Sequence, residues 1–164
     1  MSVLKIVTNP YDSPEAAAAL INYIYRKSYC IGGLGVDPKY AVEHMEMVRQ
    51  MSNQTGGRQM YHFIVAFDHK ESTQILSAES LLYTAYAICD HFAEQHQIVF
   101  GIHRSDYRWH IHFAMNPVSF MTGWKYRADK QADFELGCVV RGTTYVNTLW
   151  TTYGARETLD DIEL

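Results

Sequence analysis

One stretch, Gln97 to Asn116, constrains this chain more than any other: Gln-Ile-Val-Phe-Gly-Ile-His103-Arg-Ser-Asp106-Tyr-Arg-Trp-His110-Ile-His112-Phe-Ala-Met-Asn116. Residues 97–102 and 109–115 are apolar and aromatic with polar residues interleaved, the pattern of two strands. Residues 104–108 between them are polar and few, so the chain is expected to turn back on itself. Side chains two apart on a strand share a face, which sets His110 beside His112. An antiparallel hairpin then brings His103 across from that pair. Three imidazoles converging from adjacent strands offer three nitrogens to one divalent metal and leave coordination positions open, as a catalytic metal needs. A single buried histidine is most often a hydrogen-bonded core residue, and one His-x-His pair is a weak signal. Three of the chain's eight histidines within ten residues of a strand–turn–strand weigh against that bland alternative.

The chain around this hairpin is 164 residues long, enough for one domain with its own core. Residues 1–154 are expected to form that domain and residues 155–164 an acidic tail. No run is long and apolar enough to span a bilayer, and Met-Ser-Val-Leu-Lys lacks the apolar segment of a secretory signal. Cys30, Cys89 and Cys138 are odd in number, far apart and without a Cys-x-x-Cys pair, so reduced thiols and a cytoplasmic location are expected. Net charge is −4, but Glu157, Asp160, Asp161 and Glu163 carry four negative charges with no Lys or Arg among residues 157–164, so the preceding body is neutral. Between His103 and Lys130 five basic residues (Arg104, Arg108, Lys125, Arg127, Lys130) face two acids (Asp106, Asp129). Positive charge is therefore expected beside the histidines, where it permits phosphate binding without requiring it.

In chain order, residues 3–8 form a short strand that Asn9-Pro-Tyr-Asp breaks. Ser13-Pro14-Glu15 starts a helix, Ser13 as its cap and Pro14 in its first turn. Ala17, Leu20, Ile21 and Ile24 make its inward stripe, with Tyr23 and Tyr25 on opposite flanks. Periodicity does not choose between those tyrosines, and boundary tyrosines are commonly structural. Residues 31–36 (Ile-Gly-Gly-Leu-Gly-Val) read as a linker or mobile flap, because the strand and helix context of a phosphate-binding loop is missing. A second helix runs from Asp37-Pro38 to about residue 52, with Ala41, Met45 and Val48 inward. Residues 59–67 form a central strand carrying His62. A long helix follows over 78–95, with His91 and His96 near its end and no ligand role given to them. After the hairpin, residues 121–126 read as a turn and a short strand, followed by a last helix over 130–152. The expectation is an α+β domain, an antiparallel sheet with helices packed over one face.

His103-x6-His110-x-His112 followed by Phe-x-x-Asn116 resembles the third motif of conjugative relaxases of the MobP type, in the HUH endonuclease superfamily. Asn22-Tyr23-Ile-Tyr-Arg-Lys27 resembles the first motif and Tyr61-His62-Phe-Ile-Val-Ala-Phe67 the second, in the right order; Thr122-Gly-Trp-Lys125 is similar to the turn after motif three. The likeness covers roughly residues 15–140, and the triple-histidine motif is its specific part. Two positions depart from the pattern: Ala66 where the second motif usually has serine, and Ser105, with Asp106 one step later, where an acid often follows the first histidine.

The resemblance implies a ferredoxin-like palm and a metal-dependent, strand-specific nicking and joining of DNA, in which a tyrosine forms a 5′-phosphotyrosine during plasmid or integrative-element mobilisation. It implies Tyr23 as the nucleophile, with Tyr25 and Tyr29 in reserve, and His103, His110 and His112 as ligands of one divalent ion. Mg or Mn is the family's usual metal, whereas imidazole ligands also suit Zn, Co or Ni. Tyr25, Arg26, Lys27, His62, Asp106 and Asn116 are the further candidates for contacts to DNA or to the ligating residues. The partners implied are single-stranded DNA at an origin of transfer, an accessory DNA-binding protein and a coupling ATPase, in the bacterial cytoplasm. Two alternatives stay open: a catalytically degenerate relative that only binds DNA, and another HUH enzyme such as a replication initiator or transposase. The order of tyrosine before histidines argues against the latter.

Overall fold

The computed structural model describes residues 2–74, 76–144 and 148–155. Six strands form one sheet: β1 (Ser2–Val7), β2 (Cys30–Leu34), β3 (Tyr61–Ala66), β4 (Ile98–Ser105), β5 (Arg108–Met115) and β6 (Leu149–Gly154), in the order β2-β4-β5-β3-β1-β6. Among the described residues five α-helices accompany them: α1 (Pro14–Arg26), α2 (Ala41–Met51), α3 (His69–Gln74), α4 (Ala78–Asp90) and α5 (Lys130–Thr144), with one short 3-10 turn at Pro38–Tyr40. All strand pairs are antiparallel except β1 with β6, which is parallel. The fold is α+β, as the alternation of strand and helix signals implies.

The helix starts follow local chemistry. Ser13 accepts a hydrogen bond from the Ala16 amide at 3.0 Å, with Pro14 in the first turn. Ser77 and Ser80 exchange reciprocal bonds at the start of α4, satisfying two amides the helix itself leaves unpaired. The central strands β3 and β5 are buried except at Arg108, and their alternation sorts side chains to two faces. Leu4, Phe63, Phe100, Ile102, Phe113 and Met115 meet α4 and α5 on one face. On the other, α1 and α2 bring Leu20, Ile21, Ile24 and Met45 onto Val7, Ile64, Val99 and Ala114.

That second layer corrects the expectation of helices over one face: a sheet whose strands are buried on both sides needs cover on both. Residues 31–36 also differ from the flap reading, since Cys30–Leu34 is an edge strand paired with β4. Glycine-rich composition argues against a strand, but a Cβ on Gly32 would stand 2.5 Å from the Phe100 ring and 2.6 Å from the Tyr86 hydroxyl. The last helix ends at Thr144, and residues 149–154 are β6. In α2 the buried residue after Met45 is Arg49 instead of Val48; its guanidinium is bonded to Glu46 and to the Gln59 carbonyl. Of the acidic tail expected over 155–164, residues 156–164 lie outside the described residues.

Candidate metal centre and active site

The β4–β5 hairpin turns through Asp106 and Tyr107, both with positive φ (48° and 60°), a two-residue turn whose twist suits the strands it joins. Its register pairs His103 with His110 and Gly101 with His112. The three imidazoles therefore stand together on the face under α1, and one nitrogen from each lies within 4.8 Å of the others. Ring centroids are 4.5 Å apart for His103–His112, 5.2 Å for His110–His112 and 5.3 Å for His103–His110.

Helix α1 is tied to this cluster. His103 Nε2 donates to the Ile24 carbonyl at 2.6 Å, which leaves Nδ1 with its lone pair. Close approach is possible because residue 101 is glycine: a Cβ there would meet Ile24 Cγ2 and the Ile24 carbonyl, each at 2.7 Å. The residue before Ile24 is Tyr23, whose ring stands edge-on to His112 at 5.5 Å and to His103 at 6.0 Å. Tyr25 points elsewhere. Its hydroxyl donates to the Pro38 carbonyl at 2.8 Å, latching α1 to the turn before α2, and burial raises its pKa, with Asp37 adding to the effect. Tyr29 is exposed, its ring 5.2 Å from that of Trp109.

Beside His112 lies His62 on β3, joined through His62 Nε2 and His112 Nδ1 at 3.0 Å. His62 Nδ1 in turn is 2.8 Å from the Tyr11 hydroxyl. Burial pushes the His62 and His110 pKa values down to about 3, and His112 falls well below the usual imidazole range; neighbouring cationic groups push the same way. His103 is lowered too, by burial and by Lys27 across from it, though its bond to Ile24 opposes this. All four imidazoles are thus neutral at ordinary pH, the form that ligates metals. His110 Nδ1 and His112 Nε2 are buried with no hydrogen-bond partner among the described residues. Orphaned ring nitrogens of this kind cost stability unless something accepts their lone pairs, and a divalent cation fits that need.

Other candidates fall elsewhere. Asn116 is fully buried at the far end of β5, bonded to the Met45 carbonyl, Gln97 and the Val118 amide, which gives it a structural task away from the histidines. Asp106 is exposed in the hairpin turn, and Arg26 and Lys27 are exposed at the end of α1. The basic residues of 103–130 are not gathered at the cluster as expected. Arg104 and Arg108 flank the hairpin turn, but Lys125 is bridged to Val118, six residues past His112, and bonds the Gly56 carbonyl. Arg127 pairs with Asp129 at 3.3 Å. Sequence reasoning missed Tyr11, Gly101 and the Ile24 carbonyl. Each acts through a contact between residues far apart in the chain, and no local pattern marks it.

Comparison with known proteins gives a family for most of the chain. The relaxase family, described as a MobA/VirD2-like nuclease domain, matches residues 23–142, from Tyr23 through the three histidines and into α5. Two curated relatives from Staphylococcus aureus, each called protein rlx, are similar at 25% identity over 126 residues and 28% over 130. Those alignments cover 77% and 79% of this chain but 39% of each relative, so the chain spans about two fifths of their length. No solved structure matches. Among the described residues no helix is long and apolar enough to cross a membrane.

Proposed function

This chain belongs to the relaxase family of MobA/VirD2-like nuclease domains, and from that premise we propose that it nicks and rejoins one strand of DNA through Tyr23. The observation that carries this reading is the Tyr23 ring lying edge-on against His103 and His112, on the residue next to the carbonyl that anchors His103. In the first step the Tyr23 oxygen attacks a backbone phosphorus and the bond to the 3′ oxygen breaks. The phenolic proton leaves with the departing 3′-hydroxyl, directly or through solvent, and a 5′-phosphotyrosine remains. Attack by a 3′-hydroxyl reverses the exchange, so one phosphodiester is conserved throughout.

A divalent cation held by His103, His110 and His112 would supply a Lewis acid for the non-bridging phosphate oxygen, with Mg or Mn expected by family and Zn, Co or Ni by ligand type. The chain's own contribution is geometric and electrostatic. Neutral imidazoles leave a bound cation its full charge. The His103–Ile24 bond holds the tyrosine-bearing helix at a set distance from the ligands, an orientation effect that need not be assembled during reaction. Arg26, Lys27, Arg104 and Arg108 are assigned to the DNA backbone, positions that orient a strand without reading its sequence. Residues 1–154 are taken as the nuclease domain. Mobilisation from an origin of transfer in the bacterial cytoplasm, with an accessory DNA-binding protein and a coupling ATPase, completes the proposal.

The test is direct. Wild-type protein incubated with single-stranded origin DNA and Mn²⁺ should yield a covalent adduct on a denaturing gel, and chelation should abolish it. Tyr23→Phe should retain fold and DNA affinity and form none. An adduct persisting in Tyr23→Phe sinks the assignment of the nucleophile. Binding without an adduct in any divalent metal leaves a domain that holds DNA and does not cut it.

A further inference from the structure

We propose that Tyr11 is a positioning residue which, acting through His62, sets the tautomer of His112 and so decides whether that ring can ligate a metal. The inference rests on the metal reading above. The observation behind it is a buried three-member chain: Tyr11 hydroxyl to His62 Nδ1 at 2.8 Å, then His62 Nε2 to His112 Nδ1 at 3.0 Å. His112 Nε2 at its end has no hydrogen-bond partner among the described residues.

Two polarities fit the same heavy atoms. In one, His112 Nδ1–H donates to His62 Nε2, and His62 Nδ1–H donates to the Tyr11 oxygen. His112 Nε2 then keeps its lone pair and faces His103 and His110 as a ligand. In the other, every arrow reverses: Tyr11 donates to His62, His62 donates to His112, and the proton sits on His112 Nε2. That proton would be a buried donor aimed into the cluster with nothing to accept it, and the nitrogen could not bind a cation.

The first polarity requires an oxygen at Tyr11, because His62 Nδ1–H would otherwise be a buried donor without an acceptor. The backbone is shaped to provide it. Tyr11 adopts φ 47°, a region unusual for a tyrosine, and its amide is held by Asn9 Oδ1 at 2.9 Å. Tyr11 and His62 are 4% and 0% exposed, so water does not readily substitute for either partner. Metal-ligating histidines usually donate their second N–H to a carboxylate, a carbonyl or water. His103 uses the Ile24 carbonyl in this way. His112 uses a second imidazole, which can accept at Nε2 only while its own Nδ1–H has an acceptor, and the Tyr11 oxygen is placed to be that acceptor.

The test uses the full chain and metal alone. In the metal-free wild type, imidazole NMR should show His112 protonated at Nδ1, and in Tyr11→Phe at Nε2. Competition against a chromophoric chelator should show Zn²⁺ or Mn²⁺ bound roughly 10–100-fold more weakly by Tyr11→Phe. His62→Gln places an amide oxygen where it can accept from His112 Nδ1 without help, so adding Tyr11→Phe to His62→Gln should cost no further affinity. Folded Tyr11→Phe binding as tightly as wild type overturns the proposal, as does a wild-type His112 protonated at Nε2. A penalty that persists in the His62→Gln background assigns Tyr11 to packing and overturns it as well. Should Tyr11→Phe fail to fold, the wild-type tautomer still decides. A wild type that binds no cation at these histidines breaks the metal reading, and the tautomer then decides the relay separately.

Discussion

The two faces of this sheet use the same strands for opposite purposes. Odd-numbered residues of β3 and β5 build one face, where Phe63 and Phe113 stack with centroids 4.6 Å apart under α4 and α5. Even-numbered residues of those strands build the other, where His62, His110 and His112 gather with His103 near α1. The first face stabilises through apolar burial, which tolerates any arrangement of similar volume and shape. The second buries polar rings whose nitrogens must each find a partner, two of which have none among the described residues. A period of two lets a strand carry a stabilising row and a chemical row at once, and stability given by one face offsets the cost of the other.

The comparison breaks most sharply on deletion. Phe113→Ala should lower unfolding free energy by about 3–5 kcal/mol, because it opens a cavity in a fully buried stack. Denaturant titration should show this with metal present or absent. His110→Ala, on the opposite face of the same strand, should reverse the pattern. Adduct formation should slow by roughly 10²–10³-fold, the loss typical of removing one electrostatic stabiliser. The melting temperature of the metal-free protein should change little, while the rise that added metal gives the wild type should shrink. If His110→Ala destabilises the metal-free protein as much as Phe113→Ala does while adduct formation stays at the wild-type rate, the division between the faces is wrong.

Gly101→Ala tests the seam between the chemical face and α1. Its Cβ would press on Ile24 Cγ2 and the Ile24 carbonyl, so a loss of about 1–3 kcal/mol is expected, accompanied by slower adduct formation as Tyr23 shifts. A stable variant with wild-type cleavage would show that α1 can sit farther out than the structure has it.

Acid distinguishes the faces next. In chelator-treated protein His62 and His110 stay neutral down to about pH 3, whereas the unfolded chain takes up protons below about 6.5. The unfolded state then binds more protons, so stability is flat above that pH and falls as pH drops through the window. The slope approaches roughly 1 kcal/mol per pH unit for each such histidine. Thermal melts from pH 7.5 to 4.5 should trace it, and a melting temperature indifferent to pH would mean these rings are solvated. The smallest effect expected is that of Tyr25→Phe, which removes one hydrogen bond to Pro38 at a cost of about 1 kcal/mol and should leave adduct formation unchanged. Loss of the adduct there would move the nucleophile from Tyr23 to Tyr25.

How much was legible in advance differs by element. The hairpin, with His103 opposite His110, follows from alternation and a short polar turn, and the core stripe of α1 follows from the helical period. The edge strand β2 did not, because two glycines carry little strand signal and its place depends on Tyr86 and Phe100 closing over Gly32. Nor did β6, which pairs with β1 some 147 residues earlier (Ser2 with Leu149), a partnership that its own residues do not announce. Arg49 displaced Val48 from the inner side of α2 because its guanidinium finds Glu46 and the Gln59 carbonyl there, and a buried charge with partners is tolerated.

For the site, the sequence by itself determined which imidazoles share a strand face and which strand lies opposite them, because a pleated strand repeats every two residues whatever surrounds it. Only the tertiary structure decided that Tyr23 meets the histidines while Tyr25 bonds Pro38, that Ile24 anchors His103, and that Tyr11 reaches His62. Those outcomes turn on how a helix rotates and how a loop folds down over a sheet. That is settled by packing between residues distant in the chain, such as Gly101 admitting Ile24, and no periodicity encodes it.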